Sequence, residues 1–195
     1  MPRKPPTPRK SEKTRRRILG AAAAAYRERG IDGVSVREIM KRAGLTQGGF
    51  YAHFSDKDAL FREASREAFG PTAARFVEIS TDADWQPQAF IETYLSDWHR
   101  DHPQDGCFMA TLGAEIARAN YKRRYTFAQG ASATITLLAP YLAGKDASER
   151  LENALLLVSA MAGVLTVSRV LAGTPMSDAL LADARRFFST SFARR

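Results

Sequence analysis

Apolar residues recur at helical spacing along most of the chain. Ile18, Ala21, Ala22, Ala25 and Tyr26 stand at i, i+3, i+4, i+7 and i+8, one stripe of a helix expected over residues 11–29 and stopped by Gly30. A second, shorter helix carries Val36, Ile39, Met40 and Ala43 on its apolar side. Ser35 caps it, Glu38 completes a capping box, and Gly44 ends it. Leu45 packs the turn, and Thr46 caps a third helix reaching about His53. Ser55 or Asp56 caps a fourth, which is expected to continue past Gly70-Pro71 with a kink or a break. From Thr81 the pattern stays helical, with Phe90, Tyr94 and Trp98 at i, i+4 and i+8. Residues 106–119, 121–142, 147–172 and 177–192 read as further helices, separated by Pro- and Gly-containing breaks. There is no convincing strand run, internal repeat or heptad. The predicted fold is all-α: an N-terminal three-helix head containing a helix-turn-helix, then a C-terminal helical body.

Two helices joined by a short Gly-containing turn form the unit whose second helix enters a DNA major groove. Here that helix contains Gly48 and Gly49, each costing about 1 kcal/mol against helix stability. A face without side chains lets another surface approach closely, and we read these two positions that way rather than as a frayed turn. Charge agrees. Residues 1–60 carry 14 Lys/Arg against 6 Asp/Glu, whereas residues 61–195 carry 15 of each. All the surplus of +8 therefore sits with the helix-turn-helix, where phosphates would need it. Residues 1–10, with four prolines among basic residues, are expected to be a disordered basic arm rather than a helix. The helix-turn-helix domain would span 11–60 and the body 61–195.

Cys107 is the lone cysteine, so no intrachain disulfide forms, which suits a reducing cytoplasm. No secretory leader is expected. The charge-free run 153–168 is shorter than the roughly 20 residues of a membrane span and reads as a buried helix. No G-x-S-x-G, Walker loop or H-E-x-x-H motif supports an enzyme, and no cofactor is expected. A nonspecific architectural DNA binder remains the alternative, although a large body without excess charge argues against it.

The stretch from about Thr14 to Phe61 resembles the TetR family of bacterial transcriptional regulators. The resemblance rests on I-L-G-A-A in the first helix, G-I-D-G-V-S-V-R-E-I across the first turn, and A-G-L-T-Q-G-G-F-Y-A-H-F-S-D-K-D-A-L-F. It implies an all-α homodimer with a DNA-binding head and a divergent ligand-binding body. It also implies a ligand-responsive regulator, here expected to be a repressor. Its partners would be double-stranded operator DNA, a second copy of the chain and an unidentified small-molecule effector, with no membrane. By resemblance Gln47 faces base edges, where its amide suits adenine, and Thr46 is both cap and contact. Tyr51, His53 and Lys57 look like phosphate contacts, and Ser35 and Arg37 like backbone clamps, alongside the close approach at Gly48 and Gly49. Other readings stay open: Tyr51 packed on the first helix, His53 capping a turn, and Arg37, Lys41 and Arg42 as a solvated face. Phe50 and Phe54 should point into the head's core.

In the body, Phe90, Tyr94, Trp98, Cys107, Phe108, Met109, Leu112, Tyr121 and Phe127 are candidate pocket residues. By resemblance the last two helices form a four-helix dimer interface, with Leu155, Val158, Ser159, Ala162, Gly163, Leu181, Ala184 and Phe188 as its candidates. Asp105 is read as capping the helix that follows, which places Cys107 in its first turn. There the helix N-terminus would favour a thiolate, although a small buried residue is the simpler reading. Some TetR-family members sense electrophiles or oxidants through such a cysteine. His99 and His102 lie near Cys107, but nothing completes a metal spacing, and no metal is expected.

Overall fold

The computed structural model describes residues 8–80 and 87–192, with side chains described from residue 11 and excluding those of 70–80. Helix α1 (Pro8–Arg29) starts earlier than expected. Proline suits a first helical turn, where its missing N–H satisfies no bond anyway. The last three positions of the expected arm are therefore helical, and residues 1–7 lie outside the described residues. Gly30 ends α1 at φ +77°, and its N–H donates to the Tyr26 carbonyl at 2.8 Å.

Helix α2 (Val36–Arg42) has the capping box: Ser35 Oγ accepts from the Glu38 N–H at 3.2 Å, and the Glu38 carboxylate accepts from the Ser35 N–H at 2.8 Å. After Gly44, at φ +66°, the third helix is a single 3₁₀ segment, Gln47–Ala52. Thr46 holds the extended N-cap backbone, but its hydroxyl makes no capping bond, which corrects the expected cap. Asp56 caps α3 (Lys57–Ser80) by accepting from the Ala59 N–H at 2.6 Å. Helix α3 passes Gly70-Pro71 without a break.

The body comprises α4 (Pro87–Tyr94), α5 (Asp97–Asp101), a turn at Pro103–Asp105, α6 (Phe108–Ala117), α7 (Tyr121–Leu138), α8 (Ala147–Val170) and α9 (Pro175–Phe192). The chain turns at Leu95-Ser96, so Trp98 lies on a different helix from Phe90 and Tyr94; Ser96 caps α5. Helix α7 stops just before Pro140, which has no N–H to donate. An added Cβ on Gly130 would overlap the Phe69 ring, so this glycine lets α7 lie directly on α3.

Two apolar cores result. One runs from the head into the base of the body: Ile18, Tyr26, Ile39, Phe50, Phe54 and Phe61 continue into Phe69, Phe108, Leu112, Ile116 and Phe127. The other joins α4, α8 and α9 through Ile91, Leu157, Met161, Leu165, Leu181 and Phe188. Helix α8 is not buried all round. Only 33% of its most apolar window is covered, and its outer side leaves Leu155, Leu156, Val167 and Val170 exposed.

Candidate DNA interface and effector cavity

The recognition segment is held from behind and bare in front. Phe50 and Phe54 are buried, with ring centroids 5.8 Å apart, and fix its inner side in the head core. A Cβ on Gly48 would meet nothing within 4 Å, and one on Gly49 would meet only Met40 Cε at 3.7 Å. The protein's own packing therefore does not require either glycine, and the space they leave open faces outward. Gln47 and Thr46 are exposed beside them. Tyr51 is 73% exposed, with only an edge contact to Phe50, which removes the reading that packs it on α1. His53 ends the segment and donates its N–H to the Phe50 carbonyl, while Lys57 opens α3 half-buried.

The basic residues divide by their partners. Arg15 pairs with Glu63 and lies over the Phe54 ring, Arg17 donates to the Ala43 carbonyl at 2.7 Å, and Arg42 grips Glu28 at 2.5 and 2.7 Å. Arg42 is thus tied to α1 by this pair while staying exposed. Lys13, Arg37 and Lys41 are exposed and enter no ion pair among the described residues. The Ser35 hydroxyl donates to Glu38 Oε2 at 2.8 Å. These bonds from Ser35, with Arg29 at 2.9 Å, hold the Glu38 carboxyl at a pKa of about 2.

Polar contacts tie head to body. Glu115 on α6 accepts from the Ile31 N–H at 2.9 and 3.0 Å and from the Asp32 N–H at 3.2 Å. Its carboxylate lies 2.7 Å from where a Gly30 Cβ would stand, so Gly30 is required for space as well as for its positive φ. Arg123 on α7 pairs with Asp58 at 2.6 Å and Asp32 at 3.2 Å. Arg27 on α1 lies 4.6 Å over the Phe108 ring and donates weakly to the Gln104 carbonyl at 3.4 Å.

A cavity of about 450 Å³ opens at this junction, walled by α1, α3, α4, α5 and the turn 104–107. Phe90, Tyr94, Trp98 and Cys107 line it. Phe108, Leu112 and Phe127 do not; they pack around Phe69 in the shared core, because their faces of α6 and α7 meet α3. Met109 bridges the two cores, and Tyr121, 70% exposed, stacks on Tyr125 at the surface. The α1 wall, Leu19, Ala23, Ala24 and Arg27, went unread in the sequence. Its signal was a second stripe, Leu19, Ala23 and Arg27 at i, i+4 and i+8, beside the stripe that serves the head core. A wider groove of about 700 Å³ between α4 and α9 is open and mixed in polarity, with Gln88, Glu92, Ala182, Arg185, Arg186, Ser189 and Thr190 as its walls.

Cys107 is itself the N-cap of α6, with extended backbone, and not a first-turn residue capped by Asp105. Its N–H donates to His99 Nε2 at 2.8 Å, which leaves the proton on His99 Nδ1 to bond the Tyr94 carbonyl at 2.6 Å. Both ring nitrogens are thereby committed, and neither is available to a metal. Burial lowers the His99 pKa to about 4, so the ring is neutral near pH 7. Burial also raises that of the Tyr94 hydroxyl, which has no hydrogen-bond partner and only the Cys107 sulfur, a weak acceptor, close by.

Among the candidate dimer residues, Leu155, Ser159 and Gly163 are on the protomer surface and Ala162 is half-buried. Val158, Leu181, Ala184 and Phe188 are buried in the protomer's own α8–α9 core and are not free to meet a second copy.

The described residues are all-helical apart from turns, with a capped helix-turn-helix seated on a helical body. Residues 18–64 match the model for bacterial regulatory proteins of the tetR family. Over 54 residues it is 44% identical to an uncharacterized HTH-type transcriptional regulator, YdgC, of Bacillus subtilis, 28% of each chain. The chain thus spans little more than a quarter of that relative's length. Escherichia coli NemR, an HTH-type transcriptional repressor, is 24% identical over 133 residues, 66% of this chain and 67% of that one. The crystal structure of its reduced form superposes with a TM-score of 0.74, at 20% identity, over 89% of this chain and 96% of that one. A TetR transcriptional regulator from Legionella pneumophila gives 0.77, at 17% identity, over 97% and 99%. The fold of the whole chain is therefore that of these regulators.

Proposed function

We propose that this protein is a ligand-responsive transcriptional repressor that binds operator DNA as a homodimer and is released by a small apolar or electrophilic effector. The observation that carries this reading is the shared role of α1. One side of it builds the core behind the recognition segment, and the other walls the cavity. A molecule filling the cavity therefore acts on a helix that the head depends on, and a shift of the two heads in a dimer would spoil their fit to half-sites about one helical turn apart. Gln47 reads base edges, and Tyr51, His53, Lys57 and the exposed Arg37 hold phosphates. The bare surface at Gly48 and Gly49 lets the backbone come close. The exposed apolar side of α8 supports pairing of two copies there. The name of the related NemR, a repressor, supports the sign of regulation.

The test is fluorescence anisotropy on DNA flanking the chain's own gene, with excess nonspecific competitor. Binding is expected to survive the competitor and to weaken by at least about 1–3 kcal/mol when Gln47→Ala and Tyr51→Ala are combined. Binding erased by competitor, with no preferred site emerging from a random-sequence selection, returns the protein to a general DNA binder.

A further inference from the structure

The cavity is unbalanced in a way that selects its ligand. Its walls, Leu19, Ala23, Ala24, Phe90 and Trp98, are apolar; Arg16, Glu67 and Asp105 stand at its exposed edge, but the donors buried at its inner side lack strong acceptors. Arg27 Nε is buried without a partner, and the Tyr94 hydroxyl has only the weakly accepting Cys107 sulfur near it. Behind His99, Arg169 spends Nε on the Arg100 carbonyl and Nη2 on the His99 carbonyl, leaving Nη1 buried and unmatched. Two nearby carbonyls are already used: that of Tyr94 by His99, and that of Gln104 by a long bond from Arg27. Neither arginine enters an ion pair among the described residues, although Arg27 and Arg169 place two guanidinium charges around a neutral histidine. Asp105 and Glu67 line the cavity but are themselves solvent-exposed, so water screens them, and neither is bonded to Arg27. A buried cation without a counter-ion is costly, and an anion that pairs with it recovers that cost.

We infer that the cavity takes an amphipathic carboxylic acid, its carboxylate on Arg27 and Tyr94 and its aromatic or alkyl part between Phe90, Trp98 and Leu19. This rests on the effector-site reading above and narrows it. A carboxylate accepts several hydrogen bonds at once, whereas a neutral ligand of the same shape leaves the guanidinium charge unanswered. Because Arg27 belongs to α1, the acid grips the head's own helix directly.

The experiment is calorimetric titration of the full chain with ω-phenylalkanoates, from phenylacetate to 6-phenylhexanoate, and with the primary amide of each. Wild type, Arg27→Gln and Arg27→Lys are compared. At least one acid is expected to bind about tenfold or more tighter than its amide, the worth of one charge-assisted contact. Arg27→Gln should erase that preference, measured at a temperature where circular dichroism shows both proteins folded, and Arg27→Lys should keep part of it. If no acid in the series outbinds its amide, or if the preference persists in Arg27→Gln, the inference is overturned. The same preparations are assayed for operator binding. Specific DNA binding without acid preference sinks the ligand class alone, whereas acid preference without specific DNA binding sinks the regulator reading and leaves the ligand class standing.

Discussion

His99 is the residue whose surroundings fix most. One ring nitrogen holds the end of α4 through the Tyr94 carbonyl, and the other holds the start of α6 through the Cys107 N–H. Protonation would turn Nε2 into a donor facing another donor, so the folded state resists it, and burial lowers the pKa to about 4 from an ordinary 6.5. The unfolded chain therefore takes a proton in a window where the folded chain does not. Between about pH 6.5 and pH 4 the protein should lose stability as pH falls, by a few kcal/mol in all, and above pH 7 this group should cause no further change. Melting temperature measured against pH, for wild type and His99→Gln, isolates the effect. A wild-type slope in that window no steeper than the variant's would remove the assignment. Cys107 is read differently once this bond is seen: its backbone, rather than its thiol, is what the fold holds in place.

At the scale of elements, the head was legible because its signals are local. Ser35 with Glu38, Gly30 and Gly44 act within a few residues of themselves, and their spacing in sequence is their geometry in space. The 3₁₀ form of Gln47–Ala52 was not legible, because two glycines weaken the helix without dictating what replaces it. In the body the helices themselves were readable, but not which side of each faces what. Phe108 and Leu112 have the spacing of pocket residues and serve the core. Val158 and Phe188 have the spacing of an interface and are buried within the protomer. Those outcomes depend on neighbours distant in sequence. Gly48 offers a test at this scale. Since an added methyl meets nothing in the protein, Gly48→Ala should leave the melting temperature equal or slightly higher, as helix propensity gives back up to about 1 kcal/mol. Operator affinity should nevertheless fall at least several-fold in the anisotropy assay. A stable variant with undiminished affinity would mean that the bare face is not a contact. Gly130→Ala should behave in the opposite way. Overlap with Phe69 inside the core should cost about 1–3 kcal/mol in a denaturant melt, even though alanine is the better helix former.

At the scale of the whole molecule, the outer side of α8 is the contact that the proposed homodimer would use. Leu155, Leu156, Val167 and Val170 form an apolar strip on a helix whose other side is packed, and Gly163 has nothing within 4 Å of its would-be Cβ, room enough for another helix to lie close. Leu155→Glu combined with Val167→Glu should give a folded monomer by sedimentation equilibrium, with operator affinity reduced because the two heads are no longer linked. A dimer that survives both charges would place the contact elsewhere.

The double use of α1 also bears on how such proteins can be recombined. Its Ile18, Ala22 and Tyr26 belong to the core, its Leu19 and Ala23 to core and cavity both, its Arg27 to the cavity, and the clamp from Glu115 and Arg123 closes over the turn that follows. Head and body are therefore not interchangeable cassettes. A chimera joined after residue 60 would bring a foreign α1 into this cavity and lose ligand recognition along with the operator it was meant to exchange. A graft that keeps this chain's Leu19, Ala23, Arg27 and Asp32 within a donor head would carry the new DNA preference and the old effector together.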